Sequence, residues 1–204
     1  MKSLLKYFTY GLLLMLFLAG CAKQPTEDIS AAQKAIEDAK AAGSAKYTPE
    51  DAKKLDDSLT AAMNEIKAQD GKFALTRSYD KAKQMLAQAK ADAEKVRTEI
   101  PAKKEEAKKN AVDGQEAAKA ALKEAKALLA KAPMGKGTRA DIAALKGDIK
   151  GIEDGLPELQ QLIDQEDFVV ATDKAKAIKE KADGVSNQIK EAMQKVKGKK
   201  PGEK

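Results

Sequence analysis

The sequence predicts an all-α protein, an elongated antiparallel helical bundle with coiled-coil-like seams, organised as two tandem three-helix units. Three observations carry that reading. Beyond residue 26 the 204-residue chain is dominated by Ala, Lys, Glu, Asp and Leu, good helix formers, with few β-branched residues. Apolar residues recur in alternating steps of three and four, which keeps one face of a helix apolar. Gly, Pro and Asp-Gly signals interrupt the pattern at helix-length intervals, and the short turns they imply favour antiparallel neighbours.

The chain opens with a segment of another kind. Lys2 and Lys6 supply positive charge, and Tyr7 to Leu18 contains no charged side chain. That run is shorter than the roughly 20 apolar residues a spanning helix needs, and it suits the hydrophobic core of a secretory signal. It ends in Leu18-Ala19-Gly20-Cys21, which resembles the bacterial lipobox, with small residues for a peptidase cleft and a thiol for acylation. The resemblance implies residues 1–20 as a lipoprotein signal peptide and lipidation of Cys21. It implies a diacylglyceryl thioether there, cleavage before it, and a third acyl chain on the new amino terminus. Stable anchoring needs more than one chain, since a single myristoyl binds only marginally. The bland alternatives are an ordinary signal peptide with a chance cysteine or an uncleaved anchor; against them, the chain's one Cys stands where the motif requires it. In the Gram-negative sorting that the lipobox resemblance brings with it, Asp after the cysteine favours inner-membrane retention, so Ala22 implies the outer membrane, facing the periplasm, for a Gram-negative organism. Residues 21–27 read as a tether.

Residues 28–100 form the first unit. A helix over Asp28–Ala42 presents Ile29, Ala32, Ala35, Ile36 and Ala39 on one face, and Gly43-Ser44 ends it. Thr48 as N-cap and Pro49 at the first helical position start the next helix, with Asp51 three residues after the cap. Its seam is Ala52, Leu55, Leu59, Ala62 and Ile66, and Asp70-Gly71 is its turn. A third helix opens near Phe73, with the seam Leu75, Tyr79, Ala82, Leu86, Ala89, Ala93, Val96 and Ile100. Pro101 lacks an N–H and should kink or break it; the alternative is one long helix shared by the two units, unbroken from Phe73 to Ala132. Residues 101–114 form a helical connector, solvated over Ala102–Asn110 with Glu99–Lys103 and Glu105–Lys109 pairs, and weak again at Val112-Asp113-Gly114.

Residues 115–197 form the second unit, in which the pattern restarts. The Ala/Lys run beginning at Ala31 recurs at Ala117, Thr48 with Asp51 recurs as Thr138 with Asp141, and Asp80-Lys81-Ala82-Lys83 recurs as Asp173-Lys174-Ala175-Lys176. Phe73 and Phe168 lead into the third helix of each unit. The predicted helices are Gln115–Lys131, Thr138–Asp164 and Phe168–Lys197, with a loop over Ala132–Gly137. The seams of the last two are Ile142, Leu145, Ile149, Ile152, Leu156, Leu159 and Ile163, then Phe168, Ala171, Ala175, Ile178, Ala182, Val185, Ile189, Ala192 and Val196. So many alanines make a shallow core, because a buried methyl stabilises far less than a buried Leu or Ile. A rod or adaptor fits that better than an enzyme.

Composition excludes much chemistry. Without His there is no Ser-His-Asp triad, Cys-His dyad or His-ligated metal, and one Cys forbids an internal disulfide. No catalytic residue, metal site or cofactor is expected. Adjacent acidic residues such as Asp56-Asp57, Glu105-Glu106 and Glu153-Asp154 point about 100° apart on a helix and cannot converge on one atom. Asp164-Gln165-Glu166-Asp167 lacks the Gly and closing Glu of a calcium loop. Tyr47, Phe73, Tyr79 and Phe168 read as packing residues. Gly147, Gly151 and Gly155 recur every fourth residue opposite the Ile142–Ile163 seam, either as a smooth helix-contact face for a partner or second copy, or as a tolerated soft spot.

The formal charge of +6 resides at the two ends. Lys2 and Lys6 belong to the signal. The final ten residues hold Lys195, Lys197, Lys199, Lys200 and Lys204 against Glu203, and the remainder of the chain sums to zero. Residues 198–204 read as a basic disordered tail, a candidate contact for anionic lipid, lipopolysaccharide or peptidoglycan. Lys204 also resembles the C-terminal lysine that joins Braun-type lipoproteins covalently to peptidoglycan, although Gly202-Glu203 departs from the residues expected before it. Export makes nucleic acid an unsuitable partner.

Tyr47-Thr48-Pro49-Glu50, following Ala35-Ile36, Ala39 and Gly43 and followed by Ala52, Leu55 and Leu59, resembles a widespread group of Ala-rich bacterial lipoproteins catalogued as a domain of unknown function. The resemblance covers about Cys21 to Ala93 and brings no catalytic residues. Some members of that group carry an OmpA-type peptidoglycan-binding module, which this sequence does not show. The expectation is a lipid-anchored envelope protein, structural or protein-binding, with an envelope protein or a second copy as partner. The alternative is a binder of anionic lipid or glycan through the Lys-rich face and tail.

Overall fold

The computed structural model describes residues 23–132 and 139–198. Among them are six α-helices and no strand: α1 (Thr26–Ala41), α2 (Ser44–Tyr47), α3 (Pro49–Asp70), α4 (Asp80–Lys131), α5 (Arg139–Asp164) and α6 (Phe168–Gly198), with a 3-10 turn at Ala74–Thr76. The chain divides into two compact units, one ending at Ile100 and the other starting at Pro101.

In the first unit, helix directions follow from the cross-helix partners. Gln24 meets Asp70 and Lys40 meets Asp56, so the partner's number falls along α1, and α1 and α3 are antiparallel. Glu65 meets Lys81 and Asp70 meets Tyr79, which makes α3 and α4 antiparallel as well. The apolar stripes pack into two clusters. Ala35, Ile36, Ala39, Leu55, Ala93, Val96 and Ile100 form one; Ala32, Ala62, Ile66, Tyr79, Ala82 and Leu86 form the other. All of the expected seam from Tyr79 to Ile100 is buried.

Four local expectations for this stretch are corrected. Helix α1 ends at Ala41, but Ser44–Tyr47 adds a separate helical turn, entered through Gly43 at φ 107°. Such a φ suits a residue without Cβ, and the Tyr47 ring occupies the space a Cβ would need. Thr48 does occupy the cap position of α3, yet its hydroxyl does not cap; it donates backwards to the Ser44 carbonyl at 3.2 Å. The third helix begins at Asp80 and not near Phe73: Phe73 and Leu75 are 72% and 68% exposed, and the seam starts at Tyr79. Pro101 lies inside α4 without ending it, so the break is not found and the alternative of one long shared helix is, from Asp80 to Lys131. Pro101 and Arg97, whose carbonyl loses its donor, are both exposed, so water can serve that carbonyl.

The second unit is also read from its pairs. Lys126 with Glu153 and Gln115 with Gln160 make α4 and α5 antiparallel; Gly155 beside Ile178 and Glu158 with Lys174 do the same for α5 and α6. Its core joins Ala111, Ala118, Leu122 and Ala125 of α4 to Leu145, Ile149, Ile152 and Leu159 of α5 and to Phe168, Ala171, Ala175, Ile178, Ala182, Val185 and Ile189 of α6. Ala107 packs on this core and Ala111 is fully buried in it, so residues read as a solvated connector contribute to packing. Ion pairs in that stretch include Lys103–Glu106, Lys109–Asp113 and Lys104–Glu166, in place of the two expected from i,i+4 spacing alone. Gly114 is no weak point: α4 runs through it, and an added Cβ would stand 3.0 Å from the Ala175 Cβ. Phe168 is 3% exposed as the first residue of α6, unlike Phe73, so the two aromatics are not structural counterparts.

Candidate functional site

Leu18, Ala19, Gly20 and Cys21 lie outside the described residues, as do Lys199, Lys200 and Lys204. Lys195 and Lys197 fall on the last turns of α6. What the structure adds is the place where the chain leading from Cys21 joins the folded body.

Pro25 is buried, and its carbonyl accepts the Ile29 N–H at 3.0 Å, so α1 starts against the protein surface. Ile29, one turn on, packs on the cluster that contains Ile66 and Tyr79. The Gln24 amide nitrogen donates to Asp70 Oδ2 at 3.0 Å. Asp70 closes α3, and its other carboxylate oxygen accepts the Tyr79 hydroxyl at 2.5 Å. That hydrogen bond, followed by burial and the negative charge of Asp70, raises the Tyr79 pKa, because each favours the protonated phenol.

The turn from Gly71 to Ser78 is shaped by Arg77. Its Nη2 donates to the Asp70 carbonyl at 2.9 Å and its Nε to the Lys72 carbonyl at 3.1 Å. Thr76 donates to the Phe73 carbonyl through both its backbone N–H and its hydroxyl. Gln69, buried against the turn, donates to Glu65 Oε1, and Lys81 donates to Glu65 Oε2 at 2.8 Å. The Lys81 hydrogen bond, then the Gln69 one, lower the Glu65 pKa. Phe73 and Leu75 thus stand exposed on a turn fixed at both ends. The sequence signal that marks them is Ser78: its Oγ accepts the Asp80 N–H at 3.3 Å, a helix-start arrangement that places the preceding residues outside α4.

Elsewhere the groups do not converge. Gly147 and Gly151 meet nothing within 4 Å, whereas a Cβ at Gly155 would touch Ile178 at 3.5 Å. The 40° drift per four residues turns Gly155 towards α6, so the three do not share one open face. A shallow cleft of about 210 Å³ runs over Ala31 and Ala35, with Lys34, Asp38, Lys90, Glu94 and Arg97 around it. Its charges offset one another, with Asp38 4.0 Å from Arg97 and Glu94 3.8 Å from Lys90. The acidic pairs serve different lysines: Asp56 takes Lys40, Glu106 takes Lys103 and Glu153 takes Lys126. Glu166, at φ 57°, takes Lys104. No group of three or more His, Cys, Asp or Glu suited to a metal ion lies among the described residues, and no helix there is long and apolar enough to cross a membrane.

Comparison with protein-family models, with curated proteins and with solved structures finds no match to this chain.

Proposed function

We propose that the chain is a lipid-anchored protein of the bacterial cell envelope, a structural or protein-interaction element without catalytic activity. The observation that carries this is Leu18-Ala19-Gly20-Cys21 at the end of an uncharged run, with the chain's one cysteine at the acylated position. The body supports it. Its helices are built on alanine seams, and the lysines Lys40, Lys81, Lys126, Lys174 and Lys190 each sit on a carboxylate of a neighbouring helix. Charges paired in this way are spread along the helices and do not converge on one substrate-sized site. Ala22 makes the outer membrane, periplasmic side, the proposed location.

The test is the intact mass of the chain purified from cells, compared with Cys21→Ser. The expected result is cleavage before Cys21, addition of acyl chains, and recovery with the outer-membrane fraction, all abolished by Cys21→Ser. A mature chain with an unmodified thiol would end the proposal. In-cell crosslinking of the acylated chain then identifies the partner; a second copy is the alternative outcome.

A further inference from the structure

The geometry points to the Gly71–Ser78 turn as a second membrane contact, in which Phe73 and Leu75 enter the bilayer interface beside the acyl anchor. This rests on the lipid-anchor reading above for the position of the bilayer, and on the described residues for everything else.

Phe73 and Leu75 are the most exposed large apolar residues of the described chain, at 72% and 68%. The two lie two residues apart on one fixed turn, so their exposed apolar surface is what a contact at this turn would bury. The turn is held by Arg77 on the Asp70 and Lys72 carbonyls and by Thr76 on the Phe73 carbonyl. Ordering the pair on contact therefore costs little additional conformational entropy.

The occupant follows from where the chain outside the described residues attaches. Gln24 is hydrogen-bonded to Asp70, three residues before Phe73, and Pro25 is buried at the same end of the unit. Cys21 precedes Gln24 by three residues, which even fully extended span at most about 11 Å. Acyl chains on Cys21 thus hold the bilayer surface within a few residues' reach of this turn. The exposed Lys72 and Lys23 lie at the same end, suited to lipid phosphates. A partner protein would have to share that space with the headgroups. A lipid anchor alone leaves the body free to swivel, whereas an inserted Phe-Leu pair adds a second point of attachment and fixes the first unit's orientation to the surface.

The sequence contains no Trp, so single reporters can be placed. The acylated full-length chain carrying Phe73→Trp, and separately Leu75→Trp, is reconstituted in phosphatidylethanolamine–phosphatidylglycerol vesicles with and without lipids brominated along the acyl chain. Lys95→Trp, on an exposed α4 position, is the comparison. The expected result is a blue-shifted emission quenched about twofold by brominated lipid for the two turn reporters, and little quenching for Lys95→Trp, since interfacial side chains reach only about 5–10 Å into the acyl boundary. Unshifted, unquenched emission at both turn positions in vesicle-bound protein overturns the inference. A blue shift without quenching overturns it too, because the pair is then covered by protein. The mass at Cys21, read on the same sample, decides the anchor independently: acylated protein with unquenched reporters refutes the turn alone, and an unmodified thiol refutes the anchor.

Discussion

A Cβ added at Gly114 would lie 3.0 Å from that of Ala175, whereas one added at Gly147 or Gly151 would meet nothing within 4 Å. All three glycines sit inside helices, where Gly costs roughly 0.5–1 kcal/mol relative to Ala. Their substitutions therefore separate. Gly147→Ala and Gly151→Ala should each raise the urea midpoint, by an amount equivalent to about 0.5–1 kcal/mol. Gly114→Ala should lower it by about 1–2 kcal/mol, since α4 and α6 must move apart and overpacking costs more than the propensity returns. The same variants bear on the contact-face reading. If Gly151→Ala stabilises the fold and leaves crosslinking partners intact, close helix approach at that face has no part in binding. Ser44 and Ser186 show the opposite residue-scale situation: each has a buried hydroxyl with no hydrogen-bond partner among the described residues. Removing such a group costs nothing in bonding.

At the scale of the element, the turn between α3 and α4 is governed by side chains that its own spacing does not reveal. Its pH response follows from two shifted groups. Glu65 has a lowered pKa in the fold, so it contributes stability present above the ordinary carboxylate value and lost as pH falls through the lowered one. Tyr79 has a raised pKa, so its contribution is present below the ordinary phenol value and lost as pH climbs through the raised one. Thermal melts should therefore show an acid decline below about pH 4.3 that Glu65→Gln flattens, and an alkaline decline above about pH 10 that Tyr79→Phe flattens. Persistence of both declines in the variants would exclude these groups as their source. The helical seams were legible because burial selects one stripe, and apolar periodicity reports burial directly. The turn was not: Leu75 keeps the four-residue step to Tyr79, so periodicity extends the helix falsely back to Phe73. What ends it is Arg77 reaching the Asp70 carbonyl, seven residues away. Pro101 misleads in the converse way: the lost hydrogen bond and the ring clash carry a local cost, but packing of α4 on both sides of it keeps the helix running through. The proposed lipobox rests on the sequence alone, whereas the exposed Phe73 and Leu75 are marked there only by Ser78 as a helix-start residue.

At the scale of the whole molecule, each unit has its own buried clusters, and the members of each cluster come from one unit. Alanine supplies many of them, so the few large side chains carry a disproportionate share of the stabilisation. In the first unit Leu86 is 1% exposed and packs with Ile66 and Tyr79. Leu86→Ala should cost about 3 kcal/mol, against a total for a unit of this size of roughly 4–12 kcal/mol. That is enough to lower amide protection in α1 and α3 by about a hundredfold in native-state hydrogen exchange. Amides of α5 and α6, whose core contains none of the residues around Leu86, should keep their protection. Leu159→Ala, at a position with no exposure in the second unit, should give the mirror result. Equal losses in both units from either substitution would mean that one cooperative transition governs the chain. Separate losses would mean that the first unit can stay folded while the second opens.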